Sequence, residues 1–226
     1  VYAGCKIMKV KFVLVAGMVL SVASLSAQAS ELRVKGAIVP ASCSFTMTNA
    51  VFDYGDIRPS SLSETQYTRL TAKSTPFAVK CEGSALTAVG LKAVDNRSSS
   101  KVPGIVSSID QGYTDNYNYG LGLSSKGQKI GGYAVHVQNS IADGRTVRTL
   151  TSADNGNTWT NYRSNALGQG GDVIAWWGGS GAQTPLKVNS VSGNIQIITF
   201  INKQSALDVG SKIELDGHAT LELRYL

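Results

Sequence analysis

The chain has 226 residues and a formal net charge of +6, from 21 Lys and Arg against 15 Asp and Glu. No run of Lys and Arg is long enough to track phosphates, which argues against a nucleic-acid partner. The most apolar stretch, Phe12 to Leu25, is 14 residues long, short of the roughly 20 that span a bilayer as a helix, so no membrane span is expected.

That stretch follows Lys9 and Lys11 and is followed by Ala27-Gln28-Ala29. A basic n-region, an apolar h-region and a small-x-small site in this order read as a signal peptide over residues 8–29. Residues 1–29 are therefore expected to be absent from the mature protein, which begins at Ser30. Lys6, Lys9 and Lys11 leave with them, so 18 basic residues face 15 acidic ones and the mature charge falls to +3. Cys5 leaves as well. Cys43 and Cys81 remain, and in an exported chain two cysteines read as one disulfide.

The mature sequence reads as all-β. Of the 226 residues 24 are Gly, no helix-period apolar stripe stands out, and short alternating runs are split by turn signals. In chain order the clearest strands are Leu32 to Val39, Phe77 to Cys81, Leu86 to Val94, Gly132 to Gln138, Asn194 to Ile201 and His218 to Tyr225. Asn165 to Val188, with Gly-Gln-Gly-Gly and Gly-Gly-Ser-Gly, reads as long wet loops. One β-sandwich domain is expected over residues 41–226, preceded by an extension over residues 30–40.

The two end strands carry the most information. In the first, Leu32, Val34, Gly36 and Ile38 share one face, while Glu31, Arg33 and Lys35 share the other. A glycine in an apolar face weakens a core strand, but suits a place where another chain comes close. In the last, Ala219, Leu221, Leu223 and Tyr225 alternate with Thr220, Glu222 and Arg224; such a strand can lie beside an unfilled sheet edge, or be a plain core strand of a complete sandwich.

Other signals point away from catalysis. His136 and His218 are the only histidines, and no metal-ligand spacing or nucleophile motif occurs, so no enzyme activity, metal or cofactor is expected. His136, in A-V-H-V-Q, reads as solvent-facing. Ser152 to Trp159 fits the Asp-box pattern S-x-D-x-G-x-T-W. A single copy reads as a well-built turn: Asp caps amides, Gly takes positive φ and Trp packs beneath. Tyr113, Tyr117 and Tyr119, with Trp176 and Trp177, are candidates for glycan or protein recognition on loops, or alternatively for packing at the edge of the core.

Four features together resemble the subunits of chaperone–usher fimbriae, the pilins. They are V-K-G-A-I-V-P-A-S-C after the leader, the partner cysteine in T-P-F-A-V-K-C, F-D-Y-G-D-I between them, and the ending G-H-A-T-L-E-L-R-Y-L. The resemblance implies an incomplete immunoglobulin-like β-sandwich of pilin type, completed by a donor strand. It implies a structural subunit that passes through the periplasm to a fimbrium on the cell surface. A periplasmic chaperone, an outer-membrane usher and neighbouring fimbrial subunits would be its partners. Leu32, Val34, Gly36 and Ile38 would be donor-strand residues, and Ala219, Leu221, Leu223 and Tyr225 the acceptor edge. The alternative is a tip or accessory subunit that binds a glycan through its loops. Residues from about 100 to 190 match the resemblance poorly, and the surplus length is expected there as loops.

Overall fold

The computed structural model describes residues 42–83, 86–161 and 165–226. The leader (8–29) and the strand with Leu32, Val34, Gly36 and Ile38 lie outside the described residues. The strands are β1 (Ser42–Met47), β2 (Thr68–Arg69), β3 (Lys73–Glu82), β4 (Thr87–Asp95), β5 (Tyr119–Gly120), β6 (Gly131–Ala142) and β7 (Arg145–Thr146). They continue with β8 (Arg148–Ser152), β9 (Ala166–Leu167), β10 (Val173–Trp177), β11 (Lys187–Val188), β12 (Ser190–Ile201) and β13 (Ala219–Tyr225). All pairings are antiparallel, and among the described residues the remaining regular structure is short 3-10 turns.

Two sheets form a β-sandwich. The first has the order β1-β3-β12-β6, with the short strands β2, β5, β7 and β9 attached to β12 and β6. In the second, β4 is flanked by β13 along one edge and by β10 and β11 along the other, with β8 outside β10. An immunoglobulin constant-type sandwich places strands A, B, E and D in one sheet and C, F and G in the other. Here β1, β3, β12 and β6 take the places of A, B, E and D, while β4 and β13 take those of C and F. Among the described residues no strand stands beside β13 in the place of G.

The pleat decides the core. In β3 the buried residues Thr75, Phe77 and Val79 alternate with exposed ones. Phe77 lies 6.1 Å from the Trp176 ring and joins the two layers. Cys43 and Cys81 face each other across the β1–β3 ladder and form a disulfide over a 38-residue separation. The expected bridge is thus present, and it staples β1 to β3, not the upstream alternating strand.

The middle strands break the alternation. β6 is buried at seven consecutive positions, Gly131 to Val137. Its inward residues Tyr133, Val135 and Val137 join the main core, while Ala134 packs outward with Ile198 and Phe200 against Val102, Ile105, Val106 and Tyr113. The segment around residues 102–117 covers that outer face. Gly132 marks the close approach: a Cβ there would meet Asn118 Oδ1 at 2.3 Å and Ile105 at 2.8 Å.

This cover overturns the expectation for His136, while the aromatics fall on the packing alternative. His136 is not solvent-facing; it is 5% exposed, and its Nε2 lies 3.1 Å from the Tyr113 hydroxyl. Four of the five candidate recognition aromatics are interior. Tyr113 is part of the second core, Tyr119 stacks 5.3 Å from Tyr133 and donates to the Leu167 carbonyl, and Trp176 donates to Ser140 Oγ. Trp177 is buried and donates to the Ala182 carbonyl. Tyr117 is half-buried, 5.1 Å from Tyr113. Their polar tips satisfied from within, these aromatics pack the core instead of offering a sugar platform. The region read as wet loops holds β9 and β10, the latter buried at all five positions. The surplus length thus extends the second sheet beyond β4.

Two outcomes follow. Replacing Cys43 and Cys81 together by Ala removes the constraint on the unfolded chain and lowers stability by about 4 kcal/mol on the chain-entropy model, read as a lower denaturant midpoint with a steeper slope, because the unlinked chain unfolds to a more expanded state. Burial, with a smaller contribution from Arg69, pushes the His136 pKa from 6.5 down to about 4. Between those values the unfolded chain binds a proton that the folded chain does not, so stability falls as pH drops through that window, by about 3 kcal/mol in all. Thermal unfolding of His136→Gln against the unaltered chain is expected to show that slope removed.

Candidate functional site: an open apolar groove

A groove of about 1170 Å³ runs between the two layers beside β13, larger than the roughly 300–1,000 Å³ of small-molecule sites. Its floor is apolar: Leu121 and Ile130, Tyr133 and Val135 from β6, and Ile195, Ile197 and Ile201 from β12. These residues lie on the inward faces of β6 and β12 or beside them, and each is buried, at most 8% exposed. Ala219 and Leu221 of β13 form part of one wall.

Two irregular segments form the rest of the flanks. After β1 the chain runs past Phe52, Tyr54 and Ile57, which turn inward and are half-buried, while Asp53 and Asp56 are exposed. Gly55, at φ +61°, shifts the alternation by one residue, and Asp53 Oδ1 accepts its N–H at 2.8 Å. On the other flank Val209, Ile213 and Leu215 turn inward before β13 begins. Among the described residues the backbone groups of Phe52–Ile57 and of Ser211–Leu215 bond to no other backbone group. The outer edge of β13 is equally free of a strand partner. The groove thus combines apolar surface with unpaired backbone donors and acceptors, the two properties of an unfinished sheet.

A few polar groups punctuate it. Tyr54 donates its hydroxyl to Thr199 Oγ1 at 3.0 Å, and burial raises its pKa. Burial also raises that of Tyr133, helped by nearby Asp95. Both phenols stay neutral at ordinary pH. Among the described residues no His, Cys, Asp and Glu cluster suits a metal ion, and no helix is long and apolar enough to cross a membrane.

The residues expected at an acceptor edge divide. Ala219 and Leu221 line the groove. Leu223 packs against the core next along the strand. Tyr225 is half-exposed, and its hydroxyl oxygen accepts the Cys43 N–H at 2.7 Å, which pins the end of β13 beside the start of β1. The Asp-box turn lies at the same end. Asp154 accepts from the N–H groups of Asn157 and Thr158 and from the hydroxyls of Ser152 and Thr158. These bonds, led by those from Thr158, hold its pKa down at about 2. Gly156 takes φ +92°, the Trp159 indole donates to its carbonyl at 3.1 Å, and Asn155 Oδ1 accepts from Arg224 of β13. The turn is built as the sequence pattern implies, and it braces β13 through Arg224.

Sequence reasoning missed both irregular flanks as walls. The inward alternation of Ile213 and Leu215 was a usable signal, but the run is too short to stand out beside turn residues. Comparison with known proteins adds two similarities. Residues 32–134 match the family described as "Protein of unknown function (DUF1120)", a match that includes the alternating segment from Leu32 onward. The chain is also similar to Protein GltF of Escherichia coli (strain K12), 27% identical over 246 residues, covering 92% of this chain and 94% of that protein.

Proposed function

We propose that the groove is a strand acceptor and that the chain is a structural subunit of a chaperone–usher type fimbria, built by passing an N-terminal strand to the next copy. The carrying observation is the empty G position. Among the described residues β13 has a strand on one side only, next to an apolar groove flanked by backbone groups without backbone partners. Strand addition satisfies both at once: main-chain bonds give affinity, and alternate side chains in pockets give selectivity.

The segment Glu31 to Ile38 has the right pattern for the occupant, with Leu32, Val34 and Ile38 on one face and Gly36 where backbones approach closely. Geometry favours supply from another copy. A strand in the G position runs antiparallel to β13, so Ile38 would sit at the Ala219 end. Ser42, the start of β1, lies at the Tyr225 end, where Cys43 meets the Tyr225 hydroxyl. The two ends of β13 are about 20 Å apart, and the four Cα steps from Ile38 to Ser42 reach at most ~14 Å. A copy therefore cannot fill its own groove in that orientation. The contact between copies is head-to-tail, which propagates as an open fibre.

On this reading the leader sends the chain to the periplasm, where Cys43 and Cys81 pair. A periplasmic chaperone covers the groove until an outer-membrane usher brings in the next subunit, and the product stands on the cell surface. The burial of Tyr113, Tyr119, Trp176 and Trp177 removes the aromatic platform that favoured a glycan-binding subunit.

Leu221→Asp places a carboxylate in the groove wall, at a half-buried position packed against the main core. It is expected to reduce assembled polymer by about tenfold or more, equivalent to about 1.4 kcal/mol or more at each contact, while the secreted monomer keeps its disulfide. Deletion of residues 31–38 is expected to block incorporation and leave the groove able to accept a strand. A chain lacking residues 31–38 that still polymerised normally would overturn the proposal.

A further inference from the structure

The groove flank carries charge where an incoming strand would meet it. Because Gly55 shifts the alternation, Phe52, Tyr54 and Ile57 turn inward and both Asp53 and Asp56 stay exposed. A strand laid in with Leu32, Val34 and Ile38 inward presents Glu31, Arg33 and Lys35 outward. Outward residues of neighbouring strands share one face, with opposite Cβ atoms ~5 Å apart. Long Arg and Lys side chains reach carboxylates there without one fixed register.

Taking the groove as a strand acceptor, on which this depends, we infer that Arg33 and Lys35 of one copy pair with Asp53 and Asp56 of the next. Charge thereby selects and steers the incoming strand, while the apolar face holds it. The other charges on this rim are Arg58, Lys212 and Glu214, and on β13 Glu222 and Arg224. Lys212 is engaged with Glu214 at 2.7 Å and more weakly attracted by Asp56, and Arg224 donates to Asn155. Arg58 follows the two aspartates on the chain and disfavours a strand shifted so that its cations overlap it. Exposed pairs contribute little to holding strength, but they raise association rates and set partner choice. The occupant is thus an extended segment with alternate apolar residues and cations on its outer face, which this chain itself supplies.

The test uses the full chain, exported and assembled on cells. A carbodiimide condenses a lysine amine with a carboxylate into an amide, with loss of water. It is expected to convert the polymer into covalent multimers joined at Lys35 and Asp53 or Asp56, as identified by mass spectrometry. Reversing one side (Asp53→Lys with Asp56→Lys) is expected to slow assembly about fivefold at low ionic strength, with the difference vanishing near 1 M salt. Reversing the other side as well (Arg33→Glu with Lys35→Glu) is expected to restore the rate, which a misfolded variant would not do. If all charge variants assemble at the unaltered rate while Leu221→Asp fails to assemble, charge selection is wrong and the strand acceptor stands. If Leu221→Asp assembles as well as the unaltered chain, the acceptor reading falls, and this inference with it.

Discussion

The structure depends on one unmet requirement: the outer edge of β13. A strand buries its side chains and satisfies its backbone only with neighbours on both sides, or with water on one. Among the described residues β13 has β4 on one side and an apolar groove on the other. A monomeric sandwich would protect such an edge with a further strand, a bulge or charges. Here Ala219 and Leu221 of β13 border an apolar groove whose floor residues Leu121, Ile130, Ile195 and Ile197 are each 8% exposed or less.

Much of the remaining architecture keeps that edge in place. The disulfide fixes β1 to β3 on one rim. Tyr225 joins the far end of β13 to Cys43, and the Asp-box turn holds Arg224 through Asn155. Arg97 and Asp216 pair through two hydrogen bonds just before β13 begins. The insertion that forms β8, β10 and β11 adds to the opposite edge of β4 and leaves the groove clear. These links surround the groove on several sides, and on the proposed strand-acceptor reading a preformed slot would limit the ordering cost of binding.

How much of this was legible follows from burial on one face or two. β3 and β13 alternate, because each has one face against the core, and their inward residues could be read directly. β4, β6 and β12 were also recognisable as strands from their β-branched content. The burial of the outer face of β6 was not, because the alternation of Val135 and Val137 with His136 reads as a solvent-facing histidine, whereas the segment around residues 102–117 covers that face. β10 was hidden by its neighbours: the glycine-rich stretches on either side suggested open loops, whereas Val173 to Trp177 is buried throughout. The Asp-box was legible to the level of individual hydrogen bonds, since its pattern is local and needs no tertiary information. The groove itself was visible only through resemblance, because a missing strand leaves no residues to read.

The direct test of the account is amide hydrogen exchange across β13 and residues 52–57 in the mature chain, with and without a synthetic peptide of residues 30–41 in excess. The account predicts rapid exchange at the outward-facing amides of β13 in the chain alone. It predicts strong protection there and along the Phe52–Ile57 flank when the peptide is present, and no gain with a peptide carrying Val34→Asp. Amides of β13 already protected in the monomer, and unchanged by the peptide, would contradict it.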